Sequence, residues 1–236
     1  MMLGRGNNQF VCTQSKVIKL TASIEEAEFM QTHTEVFVPV HSIDPLTMAR
    51  WNECNHFEPR EALSAGLDLL HKHLWTIEAP SLHWRDPLHT HMHNIFTKYT
   101  FKFPFLKLQD VVHGLHREVR APYCLIHGDA TAANLLRAPG PLHYRWIDPL
   151  HRHYIPGDPH VDLGKMFQSC WGYERILLGA NQFTFDESLA HELCNRVDLS
   201  YDLAWKWHII HLIRLLPYQD ERVSLIFQKI LNDILI

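Results

Sequence analysis

The chain has 236 residues, 46% of them apolar and 20% charged, with a net charge of −4, which suits a globular protein with a substantial core. It has no basic stripe or tail, which argues against a nucleic-acid partner. Its five cysteines form no CxxC pair, and no apolar run reaches the roughly 20 residues that cross a bilayer, so we expect a soluble cytoplasmic protein with reduced thiols and no membrane partner.

The first 51 residues are predicted to form a small β-rich part with one helix. Short apolar or alternating segments predict strands at residues 10–13, 16–20, 36–40 and 46–51. Ser23, followed three residues later by Glu26, fits an N-terminal capping box. We therefore expect a helix from this box to about His33.

From residue 52 onward the pattern becomes mainly helical. Four leucines recur on one helical face, namely Leu63, Leu67, Leu70 and Leu74. Further helical periodicity covers residues 108–119, 203–214 and 223–234, and short β-like runs lie at residues 123–126 and 144–147. The sequence therefore predicts an α+β fold, with a β-rich part at residues 1–51 and a larger helical part at residues 52–236.

The residues that best fit a chemical role lie in one motif and one later acid. The motif HGDATAAN spans residues 127–134, and Asp148 follows the next apolar run. Phosphoryl transfer needs a carboxylate that orients the attacking hydroxyl and accepts its proton. It also needs hard cations, which prefer carboxylate and amide oxygens. Asp129 fits the first role, and Asn134 and Asp148 fit the second.

These motifs, HGDxxxxN, then IDP, then GDPxxDL, together resemble the aminoglycoside phosphotransferase and choline kinase family, relatives of the protein kinases. The resemblance implies a bilobal protein-kinase-like fold with a reduced β-rich N-lobe and a mostly helical C-lobe. It also implies ATP and Mg2+ as cofactors, with the nucleotide held between the lobes. The residue roles that it implies are Asp129 as the catalytic residue, Asn134 and Asp148 as metal ligands, His127 as a brace of the catalytic loop and Asp162 as a buried residue that holds the backbone of that loop.

The N-terminal segment LGRGNNQFVCTQSKVIKL is similar to the glycine turn of this family and the lysine-bearing strand that follows it. The resemblance implies that Gly4 and Gly6 bind the nucleotide and that Lys19 contacts its α- and β-phosphates. Glu28, on the following helix, is the expected ion-pair partner of Lys19, and Glu25 competes for that role.

Two further segments refine the resemblance. A hinge that receives adenine is expected near residues 48–51, which include Met48 and Arg50. The segment GDPHVDLGKMFQSCWGYE is similar to the GDxxxDLxKxxxSxxGY pattern of a subgroup found with sugar and capsule biosynthesis enzymes. We therefore expect a Mg2+-dependent phosphotransferase that moves the γ-phosphate of ATP to a hydroxyl of a small molecule, with a sugar or amino-sugar as the expected class.

Two other interpretations stay open from the sequence. A pseudokinase-like module would bind nucleotide without chemistry, and the short glycine turn favours it. His89, His91 and His93 alternate, so on a strand they would share one face and could bind zinc or iron as a metalloenzyme centre. Asn134 could instead cap a helix and Asp148 could mark a turn. The acceptor, the choice between ATP and GTP, and the oligomeric state are left open.

Overall fold

The structure is a computed structural model of the chain, and two compact units make it up. The first consists of Met1–Ile77 and Leu125–Ile155, and the second of Glu78–Cys124 and Pro156–Ile236. The residues that the structure describes are 2–3, 10–12, 16–19, 24–43, 46–49, 52–53, 59–78, 124–137, 143–150, 156–216 and 220–235. The lobe boundary expected after residue 51 stays a prediction.

An antiparallel sheet occupies the first part of the first unit. Its described strands are β1 (Met2–Leu3), β2 (Phe10–Cys12), β3 (Lys16–Lys19), β4 (Val40–Ser42) and β5 (Leu46–Ala49), in the order β1-β2-β3-β5-β4. The sequence pattern predicted β2, β3 and β5 to within two residues. The strand expected at 36–40 is largely wrong, since β4 begins at Val40. Val36 and Val38 instead share backbone hydrogen bonds of 2.9 and 3.0 Å with Trp146.

Two helices flank this sheet in the sequence of the first unit. Helix α1 (Ile24–Thr32) begins where the capping box predicted a helix start. Helix α2 (Pro59–Leu69) continues as a π-helical turn at Leu70–Leu74, in which the Trp75 N–H donates to the Leu70 carbonyl at 2.9 Å. The predicted leucine stripe is fully buried at Leu63, Leu67, Leu70 and Leu74. The wider turn thus keeps the last leucines of the stripe in the core.

A second antiparallel sheet of the first unit packs against α2. After β6 (Asn52–Glu53) and β7 (Cys124–Leu125) come β8 (Leu135–Arg137) and β9 (Tyr144–Trp146), and the sheet has the order β6-β8-β9. The Trp146 indole N–H donates to the Gly66 carbonyl of α2 at 3.0 Å. A Cβ on Gly66 would lie 2.6 Å from Trp146, so only glycine allows α2 to approach this closely. Trp146 and Leu135 are fully buried in this contact.

The described part of the second unit is mainly helical. After β10 (Pro156–Gly157) it contains α3 (His160–Cys170), α4 (Tyr173–Leu177), α5 (Glu187–Arg196), α6 (Tyr201–Leu215) and α7 (Glu221–Leu235). The predicted helices at 203–214 and 223–234 correspond to α6 and α7. Asp186 accepts from the Leu189 N–H at 2.9 Å, and Ser200 accepts from the Leu203 N–H at 3.3 Å, so each side chain caps the helix that follows it.

Helix α3 is buried along its whole length, and α6 packs against it. A Cβ on Gly164 would lie 2.7 Å from the backbone nitrogen of His208, so glycine is required where the two helices meet. The ring of His208 bonds the Gly164 carbonyl through Nδ1 at 3.1 Å. The ring of His211 bonds the Val161 carbonyl through Nε2 at 2.9 Å. Two histidines therefore join α6 to the backbone of α3.

Other sequence expectations concern single side chains of this unit. Trp171 donates its indole N–H to His208 at 2.9 Å, and Tyr173 stacks on Phe227 with ring centroids 5.9 Å apart. Both rings therefore pack against helices of the unit. Among the cysteines, Cys124, Cys170 and Cys194 are buried and form no disulfide. Within the described ranges, no helix combines the length and the apolar character that a membrane span requires.

Candidate functional site

Residues 127–134 form a loop between β7 and β8, which we call the catalytic loop after the role that the sequence resemblance implies. Its second residue, Gly128, has a backbone φ of +78°, a conformation that costs glycine little and other residues more. A Cβ at this position would also lie 2.8 Å from the Leu150 Cβ. Both features require glycine before Asp129 and fix the direction in which the loop leaves the strand.

His127 fastens the catalytic loop to the segment that follows β9. The Asp129 N–H donates to His127 Nδ1 at 3.2 Å, so Nδ1 acts as an acceptor and the ring proton belongs on Nε2. His127 Nε2 accordingly donates to the Ile147 carbonyl at 3.1 Å. The backbone adds a third link, because the Leu150 N–H donates to the His127 carbonyl at 2.8 Å. The ring is fully buried and contacts the ring of Trp146 at a centroid distance of 5.0 Å.

Asp129 and Asn134 are paired across the catalytic loop. Asn134 Nδ2 donates to the Asp129 carbonyl at 2.8 Å and to Asp129 Oδ2 at 3.0 Å. Both partners are acceptors, so the amide nitrogen faces Asp129 and the amide oxygen Oδ1 faces away from it. The half-buried Asp129 carboxylate is thereby held in one orientation. The arrangement leaves Asn134 Oδ1 as an oxygen donor for a cation.

Asp148 lies next to this pair because of the backbone between β8 and β9. The Ile147 N–H donates to the Asn134 carbonyl at 2.9 Å, and Asp148 is the next residue. Its φ of +62° is uncommon for a residue with a side chain. Such a conformation is a form of local strain that occurs often at functional sites. The Asp148 side chain is 20% exposed and contacts Lys19 through Oδ1.

Lys19, at the end of β3, holds two carboxylates within the first unit. Its ammonium lies 2.6 Å from Glu26 Oε1 and also contacts Asp148 Oδ1. The side chains of Lys19 and Glu26 are 4% and 0% exposed. Burial by itself lowers the pKa of Lys19, but the charges of Asp148 and Glu26 outweigh it, so the pKa of Lys19 is raised. Lys19 is therefore a buried, fully charged ammonium.

The partner of Lys19 on α1 is Glu26, so the expected pairing with Glu28 or Glu25 is wrong. Both of those residues are exposed on α1. Glu26 instead belongs to the buried face of the helix, together with Phe29 and Met30 three and four positions later. This spacing is the sequence signal from which the inward acid could have been found. The capping-box interpretation assigned Glu26 a local role and so hid the ion pair.

The donor set fits a magnesium site that is completed by a bound phosphate. Asp148 and Asn134 supply a carboxylate and an amide oxygen, and Mg2+ is commonly held by one or two protein oxygens together with substrate phosphates. Among the described residues, no group of three or more His, Cys, Asp or Glu side chains could hold a metal ion by itself. The described residues thus include oxygen donors of the kind that a cation shared with a phosphate ligand requires, and no cluster typical of structural zinc.

Several predicted site residues lie elsewhere. Met48 is a buried residue of β5, opposite Val17 of β3, and is 3% exposed. Asp162 lies in the first turn of α3 in the second unit and is fully buried. Their expected roles at adenine and behind the catalytic loop stay predictions. The remaining residues fall outside the described ranges, namely Gly4, Gly6, Arg50, His89, His91 and His93.

Comparison with known proteins defines the fold. The sequence matches no family model and no curated protein. Among solved structures, it is similar to an aminoglycoside phosphotransferase, APH(3'')-Id, from Streptomyces rimosus, with TM-score 0.58, 14% identity, and coverage of 95% of this chain and 92% of that one. An ethanolamine kinase from Plasmodium vivax matches with TM-score 0.58 and 12% identity over 100% of this chain and 81% of that one. A glucosamine kinase matches with TM-score 0.61 and 12% identity over 98% and 77%.

The chain therefore has a kinase-like α+β fold, and the predicted fold class is confirmed. More particularly, the structures that it matches include aminoglycoside phosphotransferases, an ethanolamine kinase and a glucosamine kinase, so the resemblance to the aminoglycoside phosphotransferase and choline kinase family is confirmed at the level of the fold. Identities of 12–14% carry the comparison no further than the fold. The relation to the sugar and capsule subgroup stays a prediction.

Proposed function

We propose that this protein is a phosphotransferase that moves the γ-phosphate of ATP to a hydroxyl of a small molecule. The observation that carries the proposal is that two polar side-chain pairs of the first unit lie on segments joined by a backbone hydrogen bond. Asp129 is paired with Asn134, Lys19 is paired with Asp148, and the backbone bond from Ile147 to Asn134 brings the two pairs together. A carboxylate, an oxygen donor pair and a buried cation are the groups that phosphoryl transfer requires.

Each chain residue has a defined task in this proposal. Asp129 orients the attacking hydroxyl and accepts its proton, and its bond to Asn134 Nδ2 fixes the carboxylate for that task. Asn134 Oδ1 and the Asp148 carboxylate would hold Mg2+, which when bound neutralises charge on the phosphates. Lys19 supplies a permanent positive charge to the phosphates because its pKa is raised. His127 keeps the catalytic loop and the Asp148 segment in register.

The acceptor class that we propose is a sugar or amino-sugar. The matched glucosamine kinase was solved with glucosamine, ADP and inorganic phosphate, and the matched APH(3'')-Id was also solved in complex with ADP and streptomycin. The sequence segment 157–173, similar to the sugar and capsule subgroup, points the same way. These observations support an acceptor with several hydroxyls.

A screen of hydroxylated metabolites with γ-labelled ATP and Mg2+ tests the proposal. We expect label in a sugar or amino-sugar product with wild-type protein and none with Asp129→Asn, which keeps an acceptor for Asn134 Nδ2 but cannot take a proton. Equal labelling by Asp129→Asn would contradict the assignment of Asp129. ATP binding without transfer to any acceptor, and without slow hydrolysis, would favour the nucleotide-binding module instead.

A further inference from the structure

Lys19 shares one ammonium between two carboxylates that differ in surroundings. Glu26 is fully buried, whereas the Asp148 side chain retains 20% of its exposure. The contact with Asp148 is made through Oδ1, one of the two oxygens that the carboxylate can offer a cation. The same carboxylate is therefore the partner of Lys19 and, under the proposed function, a ligand of Mg2+.

These two roles of Asp148 compete. Mg2+ binds oxygens at about 2.0–2.1 Å in a nearly ideal octahedron, so a carboxylate oxygen that is already bonded to an ammonium is a poorer ligand for it. An ammonium and a divalent cation on one carboxylate also repel each other at short range. We propose, on the basis of the proposed function, that Lys19 and the metal exchange at Asp148: the ammonium holds the carboxylate until the cation takes it.

Glu26 makes this exchange feasible. A buried ammonium that lost its only counter-charge would be strongly destabilised. The bond of 2.6 Å to Glu26 lets Lys19 stay paired while Asp148 turns to the cation. Glu26 is thus a positioning residue that sets how readily Lys19 releases Asp148. Replacing Lys19 and replacing Glu26, the two members of one ion pair, should therefore have opposite effects on metal affinity.

The affinity for Mn2+ alone, measured by electron paramagnetic resonance without nucleotide, tests the exchange. We expect Lys19→Met to bind Mn2+ roughly tenfold more tightly than wild type, because it removes the competitor. We expect Glu26→Gln to bind Mn2+ several-fold more weakly, because Lys19 then depends on Asp148. Glu28→Gln, an exposed change on the same helix, is the matched control and should stay within about twofold.

The outcomes separate this inference from the proposed function. Normal Mn2+ binding by wild type, with no tightening in Lys19→Met, would overturn the exchange alone. If the wild-type protein bound Mn2+ neither with ATP nor without it, the proposed metal site and the exchange would both be overturned.

A second measurement uses the wild-type protein and does not depend on the folding of Lys19→Met. The 15N resonances of the lysine ammonium groups are recorded during a titration with Mg2+, and Lys19 is assigned with Lys19→Arg. We expect the Lys19 resonance to shift as Mg2+ saturates, since its ammonium loses one carboxylate. Lys165, a buried lysine of the second unit, should not shift. An unchanged Lys19 resonance at saturating Mg2+ would overturn the exchange.

Discussion

The buried ion pairs of Lys19 in the first unit and the two buried histidines of α6 in the second unit keep polar groups in the core in different ways. In the first unit, Lys19 stays charged between Glu26 and Asp148, and the pKa of Lys19 is raised. In the second unit, burial lowers the pKa of His208 to about 3 and that of His211 well below its usual value, and both rings bond backbone carbonyls. Paired charges can be redirected to a charged ligand, whereas neutral rings only fix helix packing. We therefore expect changes in the first unit to affect chemistry and changes in the second to affect stability.

The largest expected effect is that of Asp148→Asn on catalysis. The change removes the charge of a proposed metal ligand, and we expect phosphotransfer to fall by about 10³-fold. Lys19 keeps Glu26, so the free energy of unfolding should change by no more than about 1 kcal/mol. Turnover with labelled ATP and urea denaturation measure the two quantities. A large loss of stability with little loss of turnover in Asp148→Asn would contradict the expectation that changes in the first unit affect chemistry.

Gly164→Val should show the opposite behaviour. The new side chain would meet the His208 backbone and the Trp207 Cβ, each 2.7 Å from the position of a Cβ. Inserting a larger side chain into a tightly packed contact between two helices lowers the free energy of unfolding by about 3 kcal/mol or more. Urea denaturation measures the loss, and Ser188→Val, at an exposed position of α5, is the matched control. Equal stability of Gly164→Val and the control would contradict the close approach of α3 and α6.

Low pH should destabilise the folded protein, because the two buried histidines bind protons more readily in the unfolded state. Burial lowers the pKa of both in the folded state, to about 3 for His208, while an unfolded histidine titrates near pH 6.5. The stability that this neutral burial contributes is fully present above pH 6.5 and is lost as the pH falls towards the folded pKa. Each histidine should lower the folding equilibrium constant by roughly tenfold per pH unit in that window. Urea midpoints between pH 7 and pH 4 measure it, and a pH-independent midpoint would contradict the account.

Replacing one histidine should flatten this pH dependence. His208→Gln keeps a donor and an acceptor but removes a titrating group, so its stability should fall less steeply below pH 6.5 than that of wild type. His191→Gln is a control, because the His191 side chain is 49% exposed. A slope in His208→Gln as steep as that of wild type would mean that other groups dominate acid unfolding.

The smallest expected effect is a difference in the KM for ATP between variants of two acidic residues of α1. Glu26→Gln should raise the KM for ATP by roughly tenfold, because Lys19 loses a buried partner that orients it. Glu28→Gln should leave the KM within about twofold, since Glu28 is exposed. Steady-state kinetics at fixed Mg2+ measure both values. An equal effect of the two changes would contradict the ion pair that the structure shows.

Local patterns in the sequence predicted the helices in which buried residues recur at regular intervals. The leucines from Leu63 to Leu74 and the stripe from Val223 to Ile230 are buried as their spacing indicated. Helix α3 gave no such pattern, because it is buried on every side and carries polar residues such as Asp162 and Lys165. Its surroundings come from segments distant in sequence, which periodicity does not report.

The candidate site was predictable where residue type and order carry the information. The motif and the later acid identified Asp129, Asn134 and Asp148 as candidates. The structure pairs Asp129 with Asn134, and the N–H of Ile147, the residue before Asp148, donates to the Asn134 carbonyl. The partner of Lys19 was mispredicted, because the choice among Glu25, Glu26 and Glu28 depends on which face of α1 is buried. That choice is tertiary and became clear only with the burial of Phe29 and Met30.

Calorimetric titration of ATP with and without Mg2+ tests the central claim most directly. We predict that wild-type protein binds ATP more tightly with Mg2+, and that Asp148→Asn and Asn134→Ala each lose most of this dependence while still binding ATP. No ATP binding by wild type, or an unchanged Mg2+ dependence in both variants, would contradict an ATP and magnesium site at these residues.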